Sequence, residues 1–246
     1  MGTRACSLRS HTLLLVGTVL LSGVLTTTAS ATPILAGQGS FSGIVDVTLG
    51  GIFFSNANDT NSQTFDGGTG TGSYAGLNGG TIQNLLGPAT TGPVSIVDFA
   101  TFNTTLGLIH FDLQNIFAGV GSAANCGNNS IGSTCTPPNS PFTLQQNNTG
   151  VAITLNLSGI AYLAPSSSGS TPTTGLFTAQ VQVPGTITSV LQAVQNGTLV
   201  NQSYSANFAS TPPPAVPEPG SLSMLAAGVG LLAIGIVRKR TRATQN

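Results

Sequence analysis

Between residues 151 and 158 every second residue is aliphatic: Val151, Ile153, Leu155 and Leu157 alternate with Ala152, Thr154, Asn156 and Ser158. A two-residue period puts the two sets on opposite faces of an extended chain, so the segment reads as a strand buried on one side. Phe177, Ala179, Val181 and Val183 repeat the alternation against Thr178, Gln180 and Gln182, and Tyr204, Ala206 and Phe208 repeat it again. Less regular strands are expected at residues 41–49, 52–54, 94–102 and 106–113. Between them lie clusters of Gly, Asn, Ser and Thr, residues that favour turns. Many short strands joined by polar turns predict a mainly β fold, a β-sandwich or jelly-roll-like body. One segment breaks the period: Ile187, Val190, Leu191 and Val194 recur at helical spacing and Gly197 follows as a stop, so a single short helix is expected at residues 187–195, across one end of the body. The run GGTGTG at residues 67–72 is expected to be a mobile loop.

All six Lys and Arg residues lie near the termini, at Arg4, Arg9, Arg238, Lys239, Arg240 and Arg242. Residues 32–215 hold no Lys, Arg or Glu, and their acids are Asp46, Asp59, Asp66, Asp98 and Asp112, a net charge of about −5. A surface without Lys or Arg cannot neutralise phosphates and release counterions, which excludes nucleic acid as a partner. Nor can it form Lys or Arg ion pairs, so the fold must rest on apolar burial and hydrogen bonds. The chain is 40% hydrophobic and 5% charged, the opposite of a disordered composition. A body of this length buries a core as one domain.

The N-terminus reads as a secretory signal. Arg4 and Arg9 supply the charged region, residues 12–25 the apolar core, and Ala29-Ser30-Ala31 a small-residue cleavage site recognised through Ala29 and Ala31. The expected partners are the general secretion machinery and signal peptidase. In the oxidising compartment beyond the membrane, Cys126 and Cys135, nine residues apart, are expected to form a disulfide.

At the other end, Ala209 to Ala215 form a Pro-rich spacer, followed by Val216-Pro217-Glu218-Pro219, an uncharged apolar run at residues 220–237, and the basic stop Arg238, Lys239 and Arg240. Eighteen residues of helix rise roughly 27 Å, close to the thickness of a bilayer core. A basic cluster directly after such a span is retained in the cytoplasm, leaving everything before it outside. The motif, apolar segment and basic tail, in that order, resemble the PEP-CTERM sorting signal of Gram-negative bacteria that make extracellular polysaccharide. The resemblance implies that an exosortase, a membrane-embedded cysteine protease, recognises Pro217, Glu218 and Pro219 and releases the chain towards the surface or matrix. It makes this chain a substrate of that enzyme. The phrases Ser140-Pro141-Phe142-Thr143-Leu144 and Gly175-Leu176-Phe177-Thr178 also resemble segments of other PEP-CTERM cargo proteins.

No catalytic or metal constellation is expected. His110 is the one imidazole in the body; on a strand it shares a face with Asp112, while Ile109, Phe111 and Leu113 point the other way. The aspartates occur singly in sequence, against the paired carboxylates of glycoside hydrolysis. Asp59, Asn61 and Asp66 offer oxygens to Ca²⁺, but the Gly and terminal Glu of a calcium loop are missing. Seven Asn-X-Ser/Thr sites follow from the composition.

The domain order read from the sequence is signal peptide 1–31, β-rich extracellular domain 32–208, linker 209–215 and sorting signal 216–242, with a signal helix and a transmembrane helix flanking the body. The expected role is an exported surface or matrix protein, structural or adhesive, associated with extracellular polysaccharide, with no enzymatic activity and no cofactor. The alternatives are a surface polysaccharide hydrolase using Asp98, His110 or Asp112, and a surface protein whose membrane anchor stays uncut.

Overall fold

The structure, a computed structural model, describes residues 34–56, 62–87, 91–165, 169–182 and 185–212. The signal peptide with Ala29 and Ala31, the sorting region with Val216, Pro217, Glu218, Pro219, Arg238, Lys239 and Arg240, both expected terminal helices, and Asp59 and Asn61 lie outside these residues. Among the described residues no helix is long and apolar enough to cross a membrane.

More than half of the described chain is extended. In order it forms β1 (Gly37–Thr48), β2 (Gly51–Ser55), β3 (Thr64–Gly70), β4 (Gly80–Ile82), β5 (Leu85–Leu86), β6 (Gly92–Thr104), β7 (Gly107–Ile116), β8 (Thr134–Cys135), β9 (Thr143–Asn147), β10 (Gly150–Leu163), β11 (Thr171–Gln182), α1 (Ile187–Gln195) and β12 (Leu199–Ser210). Every expected strand is present, and the helix lies where its apolar spacing put it. In β10 burial alternates strictly from Val151 to Ala161, as the sequence period requires.

The strands belong to one antiparallel sheet, and its hydrogen-bonded path returns to its start. It passes from β1 through β3, β4, β6, β7, β10, β11 and β12 back to β1. The sandwich or jelly roll expected from the sequence is therefore corrected to a single sheet curled into a closed ring. Two facing sheets require a break in this path. Here the long strand β10 joins β7 on one side to β11 on the other, and β12 joins β11 to β1, so no break remains. At Gly159, where β10 shifts register against β7, a Cβ would collide with the Asp112 carbonyl and lie 2.9 Å from the Phe111 ring. Glycine lets the strand bend there while the ring lies against its backbone.

A ring of eight strands leaves an interior that side chains just fill. Eight of the eleven phenylalanines point into it: Phe41, Phe54, Phe65, Phe99, Phe102, Phe111, Phe177 and Phe208. Phe41 is the hub, stacked on Phe65 with centroids 3.9 Å apart and on Phe208 at 5.7 Å, with Tyr204 edge-on at 6.3 Å. Fully burying a side chain of this kind contributes about 1.5–3 kcal/mol, so this cluster dominates the stability of a fold without Lys or Arg.

The GGTGTG segment is also corrected. It is not a loop: residues up to Gly70 belong to β3, which pairs with β1 through Ser40↔Thr69 and Gly39↔Gly70. The reason is close approach. A Cβ on Gly68 would lie 2.5 Å from the Ser40 carbonyl and 2.7 Å from Leu77, and one on Gly70 would collide with the Tyr74 backbone. The glycines let the following turn, Gly72–Tyr74, fold back over the strand and bury Tyr74.

The helix α1 crosses the end of the ring between β11 and β12, and its short length demands that its free amides be satisfied. The amide of Ile187 donates to Gln146 Oε1 (3.0 Å), that of Thr188 to Asn129 Oδ1 (3.2 Å) and that of Ser189 to Thr186 Oγ1 (3.2 Å). Ser189 completes a capping box by accepting from the Thr186 amide. Asn129 lies in the loop closed by the Cys126–Cys135 disulfide, which is formed as expected.

Candidate functional site

Four titratable side chains of the body, Asp98, His110, Asp112 and Tyr162, meet on the outer face of β6, β7 and β10. Residues Ile109, Phe111 and Leu113 of β7 are fully buried, which turns His110 and Asp112 outward. Ala161 of β10 is likewise buried and turns Tyr162 outward, directly opposite His110 in the ladder.

Asp98 reaches the group through a bulge. Ile96 pairs with Leu113 and Ala100 with Phe111, so three residues of β6 stand against Asp112 alone. Asp98 absorbs the excess by taking a left-handed conformation, φ +53°, which Asp tolerates better than most residues. The bulge leaves its backbone groups out of the ladder, and side chains satisfy them. The Asp98 amide donates to Asp112 Oδ1 (2.8 Å), and Gln83 Nε2 donates to the carbonyls of Val97 and Asp98 (2.8 Å each).

His110 Nδ1 lies 2.5 Å from Asp98 Oδ1. An ionised carboxylate only accepts, so Nδ1 is the donor of this contact and Asp98 orients the ring. Tyr162 stacks on the imidazole with centroids 5.3 Å apart and shares its hydroxyl between Asp98 Oδ1 (3.3 Å) and Asp112 Oδ1 (3.4 Å). Partial desolvation, followed by the Asp112 and Asp98 charges and their hydrogen bonds, pushes the Tyr162 hydroxyl up to about 12.

The structure thus brings Asp98, His110 and Asp112 together and adds Tyr162, which the sequence reading missed. The aspartates that stand singly in sequence are a pair in space. The one available signal was the outward parity of Tyr162 on a strand alternating through Leu157 and Ala161. Register against β7 cannot be read from that parity.

An aspartate-oriented imidazole is the frame of a general base. Side-chain exposure is 44% at Asp98, and none of the four side chains lines the apolar pockets formed by Val47, Phe142 and Leu199 with their neighbours. Thr101, opposite His110 on β6, has its hydroxyl 2.8 Å from that of Thr81. No group of three or more His, Cys, Asp or Glu side chains able to hold a metal ion occurs among the described residues.

A second bulge shows what the aspartates do. Between Val45 and Val47 of β1 the register against β12 shifts, and Asn201 takes φ +57°. Its amide donates to Asp46 Oδ1 at 2.6 Å. Asp46 and Asp112 therefore perform the same task, each accepting the amide of a left-handed residue on the neighbouring strand.

The described body is a closed antiparallel β-ring whose outward polar cluster is half-buried. Beyond it, residues 215–240 match the PEP-CTERM protein-sorting motif. The chain thus carries a signal that implies recognition by an exosortase, export, and a membrane-associated precursor. The match covers the C-terminal region and carries no information about the body. No curated protein and no solved structure matches the chain.

Proposed function

We propose that the β body is a structural or adhesive component of an extracellular polysaccharide matrix, delivered there by its sorting signal and without catalysis of its own. The observation that carries this reading is the PEP-CTERM motif at residues 215–240. The outer face adds support: Thr174 of β11 and Ser203 and Ser205 of β12 are exposed and uncharged, and Ser205 pairs with the half-buried Thr178. Such hydroxyls exchange hydrogen bonds with neutral sugars, whereas acidic sugars require a bridging divalent cation because the body has no Lys or Arg.

The test is co-sedimentation of the exported protein with matrix polysaccharide from its host, with and without Ca²⁺. Retention on neutral polysaccharide without Ca²⁺ is expected. A protein that stays wholly in the supernatant under both conditions ends the reading. Peptide mass analysis of the surface form should show a chain lacking residues 220–246; a C-terminus still at Asn246 supports the uncut anchor instead.

A second reading, a surface hydrolase, is favoured by the convergence of Asp98, His110 and Asp112 around Tyr162. Release of reducing ends from a polysaccharide panel by the wild type, lost in His110→Ala, would establish it over the structural role.

A further inference from the structure

At the α1 end of the ring lies a pocket of about 410 Å³. Val47 and Leu199 from strand ends, Leu144 from β9, Phe142 from the preceding loop, and Val190 and Val194 from α1 wall it. A smaller void of about 30 Å³ lies beside this outer pocket, sharing Val47, Phe142 and Leu199 with it and lined further by Phe54, Phe177 and Tyr204. No charged residue lines either space. Thr48, Asn139, Ser140 and Gln195 are the uncharged polar residues of the outer pocket, and the neighbouring Leu49, on the β1–β2 turn, is 64% exposed.

The walls are held apart by anchored elements. The helix amides are capped by Gln146, Asn129 and Thr186, and the Ser140 amide closes the Pro137–Ser140 turn at 3.1 Å. A preformed apolar cavity of this volume, with a few polar groups, has the character of a small-molecule site. Its volume admits a narrow flexible tail and excludes a folded partner. An ionised group drawn into it would lose hydration without gaining a partner.

We infer that this end of the ring binds a single uncharged alkyl or acyl chain, the tail of a neutral-headed amphiphile, with the head at the polar residues of the outer pocket. The site goes beyond the polysaccharide reading and is independent of it. Matrix retention and alkyl binding are separate assays, and either can fail alone.

The test uses the exported protein purified without detergent and titrated calorimetrically with 1-monodecanoylglycerol, its shorter homologues and decanoate at neutral pH. One saturable site per chain is expected, with affinity rising about fourfold for each methylene added, the free energy of burying one CH₂. Decanoate should bind at least about tenfold more weakly, its charge being unpaired in the pocket. Val194→Trp, which fills the pocket from α1, should lower affinity at least about tenfold without lowering Tm. Leu191→Asn, on the same wall, provides a second variant with the same expected direction if the Trp variant does not fold. The inference is overturned by absence of saturable binding, by affinity independent of chain length, by equal binding of decanoate, or by unchanged affinity in the folded variants. A photo-cross-linker at position 194 that captures residues 220–237 of the same chain would also overturn it, giving the pocket to the protein's own apolar segment.

Discussion

The hydroxyls of Tyr74 and Ser210, 136 residues apart in sequence, lie 2.8 Å apart in the interior at the end of the ring opposite α1. Thr173 Oγ1 lies 2.7 Å from Ser210 Oγ and donates to the Thr171 carbonyl. Because each hydroxyl has one proton, the directions follow: Thr173 donates to Thr171, Ser210 to Thr173, and Tyr74 to Ser210. The chain of donors ties β12 and β11 to the turn that folds over β3.

Ser210→Ala should destabilise the protein by about 1–3 kcal/mol, since it strands the Tyr74 proton in a buried place. Tyr74→Phe combined with Ser210→Ala should cost less than the sum of the two single changes. Urea denaturation of the four proteins of this cycle measures the coupling, and strict additivity would show that the hydroxyls do not cooperate.

Asp112 tests the structural account of the polar cluster. Asp112→Ala removes the acceptor of the Asp98 amide and should lower stability by about 1.5–3 kcal/mol, the range for a hydrogen bond to a charged group. Asp112→Asn keeps an acceptor oxygen and should lose less. An Asp112→Ala protein as stable as wild type would remove the bulge-pinning role and return weight to a catalytic one.

Gln146 is buried, with Nε2 donating to the carbonyls of Asn147, Gly150 and Gly185 and Oε1 accepting from the Ile187 amide. Gln146→Leu should cost at least about 2 kcal/mol by leaving several of these groups unpaired. Reduction of the Cys126–Cys135 bridge should cost about 2–3 kcal/mol through the freedom returned to the unfolded chain. Both changes should raise hydrogen exchange at Ile187 and Thr188 before the central strands, because both loosen the groups that cap α1. Uniform exchange across all elements would contradict that order.

Tyrosine ionisation provides a pH test. Burial pushes the Tyr74 hydroxyl up, opposed by the neighbouring hydroxyls of Ser210 and Thr173, and Tyr162 stands at about 12. Both groups hold their protons more tightly folded than unfolded, where tyrosine titrates near 10. The stability they contribute is full below pH ~10 and is lost as pH rises towards ~12. Ultraviolet difference titration of wild type against Tyr162→Phe and Tyr74→Phe should show that neither residue contributes its tyrosinate signal near pH 10. Early ionisation that disappears in Tyr162→Phe would refute the shift.

Trypsin should find no cleavage site between Arg9 and Arg238, even in the denatured chain. Internal tryptic peptides from purified protein would contradict the composition.

Much of the fold was legible locally. The alternation at Val151–Leu157 and at Tyr204, Ala206 and Phe208 shows which residues face inward, because strand parity is a property of neighbouring residues. The helix was legible through Ile187, Val190, Leu191 and Val194 for the same reason, and the disulfide through the spacing of two cysteines in an exported chain. The composition alone determined that no Lys or Arg ion pair exists in the body. Closure of the sheet was not legible, because pairing of β10 with both β7 and β11 depends on strands distant in sequence. The bulge at Asp98 was hidden likewise: a register shift exists only relative to a partner strand, and it turns an isolated aspartate into the neighbour of His110, Asp112 and Tyr162. The glycines at 68 and 70 carried the opposite meaning from their local one. Chain flexibility reads as a loop in sequence, whereas the space needed by Leu77 and Tyr74 makes the same residues a strand, and only tertiary packing supplies that constraint.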